Sequence, residues 1–280
     1  MKKINNIGLI NKYDYHIKYL LSKTTNSNIF DYYKSSNKAI LLGNTYTPKN
    51  VCKKFKDSLE RILNLLDMNV NTLIQSFDCN YLKFSNPYEE ILKDLGFKFR
   101  IISISSINTK NIFKVYKEIK VLNYNLSFIK YIYYYINTLY LKNVLNKIDR
   151  LIKDNIGFEI NKGEYISTNK FFVKEILEQN SILSINKCYK KYLKKFNNIR
   201  INKKDTIKVK VFGSDTYDVY SKLGIYNIEP NKESNILLYI KKQGCIKNIF
   251  YEQYLKEYSK KYNKKLIVIE DINNFGGILL

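Results

Sequence analysis

Asn71-Thr72-Leu73-Ile74-Gln75-Ser76-Phe77, then Pro87-Tyr88-Glu89-Glu90-Ile91-Leu92-Lys93-Asp94-Leu95-Gly96, then Phe97-Lys98-Phe99-Arg100-Ile101-Ile102-Ser103-Ile104 are the three runs whose reading decides the fold. The first is short, apolar at its centre and followed by a polar loop, as a strand requires. The second opens on Pro87 and carries Glu89 and Glu90 in its first turn, where the helix dipole favours negative charge. Gly96 closes it, and the third run returns to strand-like residues. Strand, helix and strand in this rhythm predict a βαβ unit and hence a parallel sheet.

The rhythm extends in both directions. Residues 4–10 read as a first strand, followed by a helical stretch to about Ser22. Thr47-Pro48-Lys49-Asn50 reads as a turn. From Phe55 to Met68, the apolar residues Leu59, Ile62, Leu63 and Leu66 fall on one helical stripe. Residues 108–200 differ: they are rich in Ile, Tyr and Lys at helical spacing, with Gly157 and Gly163 marking a break. The strand–helix rhythm resumes with a strand over Ile207–Phe212, ending in Gly213-Ser214-Asp215, and a second over Ser234–Ile240. A Gln243-Gly244-Cys245 turn follows, then a helix over Asn248–Tyr262 and a last strand over Leu266–Glu270. The expected architecture is α/β, with parallel-sheet, Rossmann- or flavodoxin-like N- and C-terminal parts and a mainly helical middle segment. The expected domains are 1–107, 108–200 as a helical insertion or cap, and 201–280. No internal repeat of fixed period is visible.

Composition sets the outer limits. The 280 residues carry 48 basic against 25 acidic side chains, a formal net charge of +23. Only four of the basic residues are Arg (Arg61, Arg100, Arg150 and Arg200), and Lys is spread through the whole chain. Arg forks and a concentrated basic face are what specific nucleic-acid recognition needs, so no specific nucleic acid is expected. Lys, Asn, Ile and Tyr make up just over half the chain, all residues with A/T-rich codons, which gives the basicity a compositional origin. The Tyr-Lys interleaving over 189–195 suits a phosphate backbone and the solvated flank of a helix equally well. The N-terminal apolar run is broken by Asn5, Asn6 and Asn11, unlike a signal-peptide core. The stretch from Leu126 to Leu141 contains Lys130 and Asn137 and is shorter than the ~20 residues a membrane span needs. A cytoplasmic protein without a membrane span is expected.

Cys52, Cys79, Cys188 and Cys245 are too few and too scattered for a disulfide framework. The chain has no CxxC, P-loop, GxGxxG or HExxH, and its one histidine, His16, falls in a helical stretch. Triads built on histidine and most zinc enzymes are thereby excluded. Cys79 and Cys245 share a sequence setting: each follows a strand-like run and precedes a helix. In open parallel sheets, such loops lie beyond the strands' carboxyl ends, where ligands bind. Cys52 precedes a helix after a Pro-containing loop, also a rim position, whereas Cys188 falls inside a helix. Three rim thiolates suit iron or an iron–sulfur cluster. Free cysteines are also among the most often buried residues, and scattered single thiols lack the force of clustered ligand motifs, so spacing alone favours ordinary packing.

A family resemblance bears on the choice. Leu41-Leu42-Gly43, Tyr46, Pro48 and Val51-Cys52-Lys53-Lys54-Phe55-Lys56 resemble the first-cysteine segment of the acyl-CoA dehydratase activase-related proteins, relatives of the 2-hydroxyglutaryl-CoA dehydratase subunits. Leu73-Ile74-Gln75, Cys79 and the run from Glu90 to Phe97 continue the likeness. So do Asn155 to Glu159, Tyr189 to Phe196, Lys208 to Gly213, Gly244-Cys245, and Tyr262 to Asp271. Membership would imply α/β domains holding a [4Fe-4S] cluster through Cys52, Cys79 and Cys245, with Cys188 left out. It would also imply single-electron chemistry on a 2-hydroxyacyl-CoA thioester, a lyase reaction in which an ATP-dependent activator supplies the electron and a dehydratase subunit is the partner. The cluster would act by making an otherwise unacidic β-proton removable.

The chain departs from that family in three places. The family's Cys-Arg-Phe-Gly loop is here Cys79-Asn80-Tyr81-Leu82, its Leu-Pro after the first cysteine is Lys53-Lys54, and the stretch between Tyr217 and Asn235 is shorter. Two further readings therefore stand beside the cluster: a non-catalytic interaction module of the same fold, and a basic RNA- or anion-binding protein. Smaller candidates are Ser214 and Asp215 as rim groups or an ordinary turn, Glu270 and Asp271 as an acid/base pair or a solvated strand end, and the tyrosines of 131–135 as an acyl pocket or core.

Overall fold

The computed structural model describes residues 6–11, 14–31, 41, 45–46, 53–76, 87–203, 206–213, 217–241 and 247–270. The chain divides into two compact units. The first comprises Met1–Lys49, Lys54–Asn143 and Leu177–Ile185, and the second Asn50–Lys53, Val144–Ile176 and Asn186–Leu280.

Unit 1 is built on four parallel strands: β1 (Asn6–Leu9), β2 (Asn28–Phe30), β3 (Thr72–Ser76) and β4 (Arg100–Ile104), in the order β2-β1-β3-β4. Leu73 sits between Gly8 and Ile101 in register, so the βαβ unit expected from 71–104 is present. Both faces are covered, as a parallel sheet needs. On one face, Leu59, Ile62, Leu63 and Leu66 of α2 (Lys53–Asp67) and Leu92 of α3 (Pro87–Asp94) pack against Leu73. On the other, Ile17, Leu20 and Leu21 of α1 (Tyr15–Thr24) and Val115 and Ile119 of α4 (Ile112–Lys120) pack against Ile7, Leu9, Ile74 and Ile104.

Unit 2 repeats this topology. Strands β5 (Ile207–Phe212), β6 (Ile228–Pro230), β7 (Ile236–Ile240) and β8 (Lys265–Ile269) lie parallel in the order β6-β5-β7-β8. Numbered within each unit, both sheets run 2-1-3-4, the order of flavodoxin-like doubly wound sheets. The repeat has no counterpart in sequence periodicity, because it resides in connectivity rather than side chains. Val219 and Leu223 of α8 (Tyr217–Ile225) pack with Val209, Leu238, Ile240, Ile267 and Ile269. Tyr251 of α9 (Lys247–Lys261) packs on Tyr239 with ring centroids 5.6 Å apart.

The middle segment is helical, as expected: α5 (Phe128–Asn155), α6 (Glu164–Glu178) and α7 (Ile182–Asn197) follow α4. Within unit 2, Phe172 and Phe196 are fully buried and meet edge to face at 6.3 Å between centroids. Gly157 and Gly163, in the connection between α5 and α6, both have positive φ. Among the described residues, no helix is long and apolar enough to cross a membrane.

Candidate functional site

Ligand crevices in 2-1-3-4 sheets open where the connections leave in opposite directions, at the carboxyl ends of the first and third strands. In unit 1 those strands are β1 and β3, and in unit 2 they are β5 and β7. At the end of β1, the Ile10 amide donates to Ile74 O at 3.0 Å, holding the two strand ends together. The Arg61 guanidinium of α2 donates to Ile10 O, so the helix clamps the start of the loop beyond β1. One strand over, Lys18 of α1 pairs with Asp31 just past β2 at 2.6 Å. At the end of β4, the Ser105 amide and hydroxyl both donate to the Glu118 carboxylate, at 2.8 and 2.7 Å.

The corresponding place in unit 2 is held by close backbone packing. Gly213 follows β5 with φ +94°, and a Cβ there would collide with Ile240 O at the end of β7 and come within 2.9 Å of the Tyr239 ring. Glycine is therefore required where the two strand ends meet. The next residue of β7's exit, Lys241, bonds Glu252 at 2.9 Å and Glu270 at 3.4 Å, and Glu252 also holds Lys256 at 2.8 Å. Hydrogen bonding to Glu252 raises the Lys241 pKa, and the two lysines depress that of Glu252. This network of two cations and two carboxylates fixes Lys241, four residues before Cys245. Neither Arg61 nor Lys241 is distinguishable in the sequence from the chain's other basic residues, because only pairing across the fold singles them out.

Cys52, Cys79 and Cys245 lie outside the described residues, as do Ser214, Asp215, Asp271 and the 47–50 turn. The elements they border are described. Cys52 is the residue before α2, Cys79 comes three residues after the end of β3, and Cys245 comes five after the end of β7. The β3 and β7 strands hold the same place in the two sheets. Cys188 is different in kind. It is buried within α7, and desolvation pushes its thiol up to about 11, so it stays protonated and unreactive at neutral pH. Among the described residues, no group of three or more His, Cys, Asp or Glu side chains is arranged to hold a metal ion.

The remaining candidates resolve into structure. Tyr131 and Tyr135 are fully buried, and their hydroxyls donate to Ile112 O and Asn108 O, both at 2.7 Å. These two rings are core of unit 1, with their polar ends satisfied by backbone. His16 is half-buried in α1. Glu270 is a solvated strand end, 84% exposed and paired with Lys241. Compared with known proteins, the chain matches no family model and no curated protein.

Proposed function

We propose that this protein binds a [4Fe-4S] cluster through Cys52, Cys79 and Cys245, and that it acts in single-electron transfer or acyl-CoA dehydration with partner subunits in the cytoplasm. The observation that carries the reading is the topological match of β3 and β7. Each is the third strand of a 2-1-3-4 sheet, each ends at a switch point, and each is followed within a few residues by a cysteine. Crevices at switch points are where open α/β sheets take their cofactors. The donor set suits the group, since soft thiolates are the ligands iron–sulfur clusters use and three of them leave one iron open. Cys188, buried and protonated, does not compete as a ligand. When bound, the cluster supplies one-electron chemistry at low potential. The chain's own contribution is to hold the loop bases rigid: Arg61 on Ile10 O in unit 1, and the Lys241 network with the Gly213–Ile240 packing in unit 2.

Iron and acid-labile sulfide are to be measured on protein purified without oxygen and reconstituted with ferrous iron and sulfide. Wild type should hold about four irons per chain. Cys52→Ala, Cys79→Ala and Cys245→Ala should each lose most of that iron, and Cys188→Ala should keep it. A folded wild type that stays colourless and iron-free would overturn the reading and leave the non-catalytic module of the same fold.

A further inference from the structure

Unit 2 contains a cleft of about 560 Å³. Its walls are the last two turns of α5, the free edge of β5, Tyr220 of α8 and the residues that follow β6. The volume is in the range of small-molecule sites. Three cationic side chains line it (Arg150, Lys153 and Lys232) against two carboxylates, Asp149 and Asp154, while the ammonium of Lys210 lies over the Phe212 and Tyr258 rings, 5.4 and 5.7 Å from their centroids.

Asp149 is held by Lys153 at 2.7 Å. Burial raises the Asp154 pKa, against the opposing pull of Lys203, Lys232 and Arg150, and Glu229 adds to the rise. The end of α5 would ordinarily present negative carbonyl ends to an anion. Here Lys203 Nζ donates to Asp154 O at 2.7 Å, and Asn155 Nδ2 donates to Leu151 O at 2.8 Å, so those groups are partly satisfied.

Backbone geometry adds a donor. Ile207 N donates to Asn227 O, and Asn231 N donates to Val209 O, so the odd residues of β5 address the β6 side. The β6 strand stops at Pro230, opposite Val209, while β5 continues to Phe212. Val211 has the same parity as Ile207 and Val209, so its peptide N–H lies on the β6 side of β5, beyond Pro230 and beside Asn231, both of which line the cleft. A peptide donor among an excess of cations is the donor chemistry that phosphate oxygens accept. Beside it, Val211, Pro230 and the Tyr220 ring provide apolar surface for the rest of a ligand.

We infer that this cleft binds a small organic phosphate, with the phosphate held by Arg150, Lys232 and the Val211 amide. The site owes nothing to the cysteines and stands whether or not a cluster is bound.

The test is calorimetric titration of the full chain with pyrophosphate at physiological salt, with orthophosphate run in parallel to separate one phosphate from two. Wild type should bind pyrophosphate at one site per chain. Lys232→Gln and Arg150→Gln should each weaken binding about tenfold, the scale of one charge-assisted hydrogen bond. Lys190→Gln removes the same charge from an exposed position on α7 and should change little. Absence of binding at millimolar pyrophosphate would overturn the assignment. Equal weakening by all three variants would also overturn it, because diffuse attraction to a basic protein responds to charge alone.

Discussion

Gly157 and Glu159 show how much of the chain's distinctive sequence is spent on backbone geometry. Glu159 is only 2% exposed, and its carboxylate accepts the amides of Gly157 and, at 3.1 Å, Gly163. It organises the turn between α5 and α6 by satisfying two donors that burial would otherwise strand. Gly157 has φ +90°, and a Cβ there would collide with Ser221 O and lie 2.9 Å from Gly224 Cα. Gly163 has φ +85° but nothing within 4 Å of a Cβ. Gly157→Ala should therefore destabilise by about 3 kcal/mol, from left-handed strain plus overpacking, and Gly163→Ala by about 1 kcal/mol, from strain alone. Urea unfolding of the two variants checks this, and equal losses would mean that the Gly157–Gly224 approach carries no weight. The segment 155–159 was legible as a marked stretch of sequence. Its reason was not, because Ser221 and Gly224 are more than sixty residues away along the chain.

At the scale of elements, a left-handed residue closes four of the helices that lead into strands, whereas α1 ends on extended Thr25. In α2, Val70 N donates to Leu65 O and Asn69 N to Leu66 O, with Asn69 at φ 58°. The same pair of bonds closes α3 around Gly96 and α9 around Asn263, the Schellman arrangement with a left-handed residue past the helix. Asn227 ends α8 with φ 55° and a bond to Gly224 O. Three of the four sites thus use Asn where Gly carries less strain. Asn69→Gly should stabilise by about 0.5 kcal/mol and Asn69→Ala should destabilise by about 1 kcal/mol, read as opposite shifts of the unfolding midpoint. A shift of the same sign for both would show that the Asn side chain, not φ, matters there. Gly96 was readable in advance as a helix stop because glycine announces itself, whereas the Asn stops are hidden among the many other asparagines. The strands β1, β3, β4, β5, β7 and β8 were likewise legible, being short runs with apolar residues at strand spacing. Strands β2 and β6 escaped the reading because three residues carry no periodicity, and Pro230 suits only an edge. Helix α8 escaped because its Gly224 interrupts the pattern.

For the whole molecule, the central feature is a topology used twice without a sequence repeat. The sequence alone showed parallel sheets at both ends and a helical middle, and it assigned Cys79 and Cys245 matching settings. The strand orders and hence the switch points were not legible, since order depends on which edge each crossover returns to. The cleft of unit 2 was equally hidden, because its lining residues come from α5, β5, α8 and the turn after β6. The net charge of +23 frames both proposals: polyanions will associate loosely with this surface, so claims about binding rest on single-site variants and on salt held fixed. The central claim is that three particular thiols share one cluster. It is tested most directly by mapping alkylated cysteines on the folded, anaerobically reconstituted protein before and after iron is removed with a chelator. The account predicts that Cys52, Cys79 and Cys245 are protected with iron present and alkylate together once it is gone, while Cys188 reacts only after unfolding. Alkylation of those three thiols at the same rate with and without iron would contradict it.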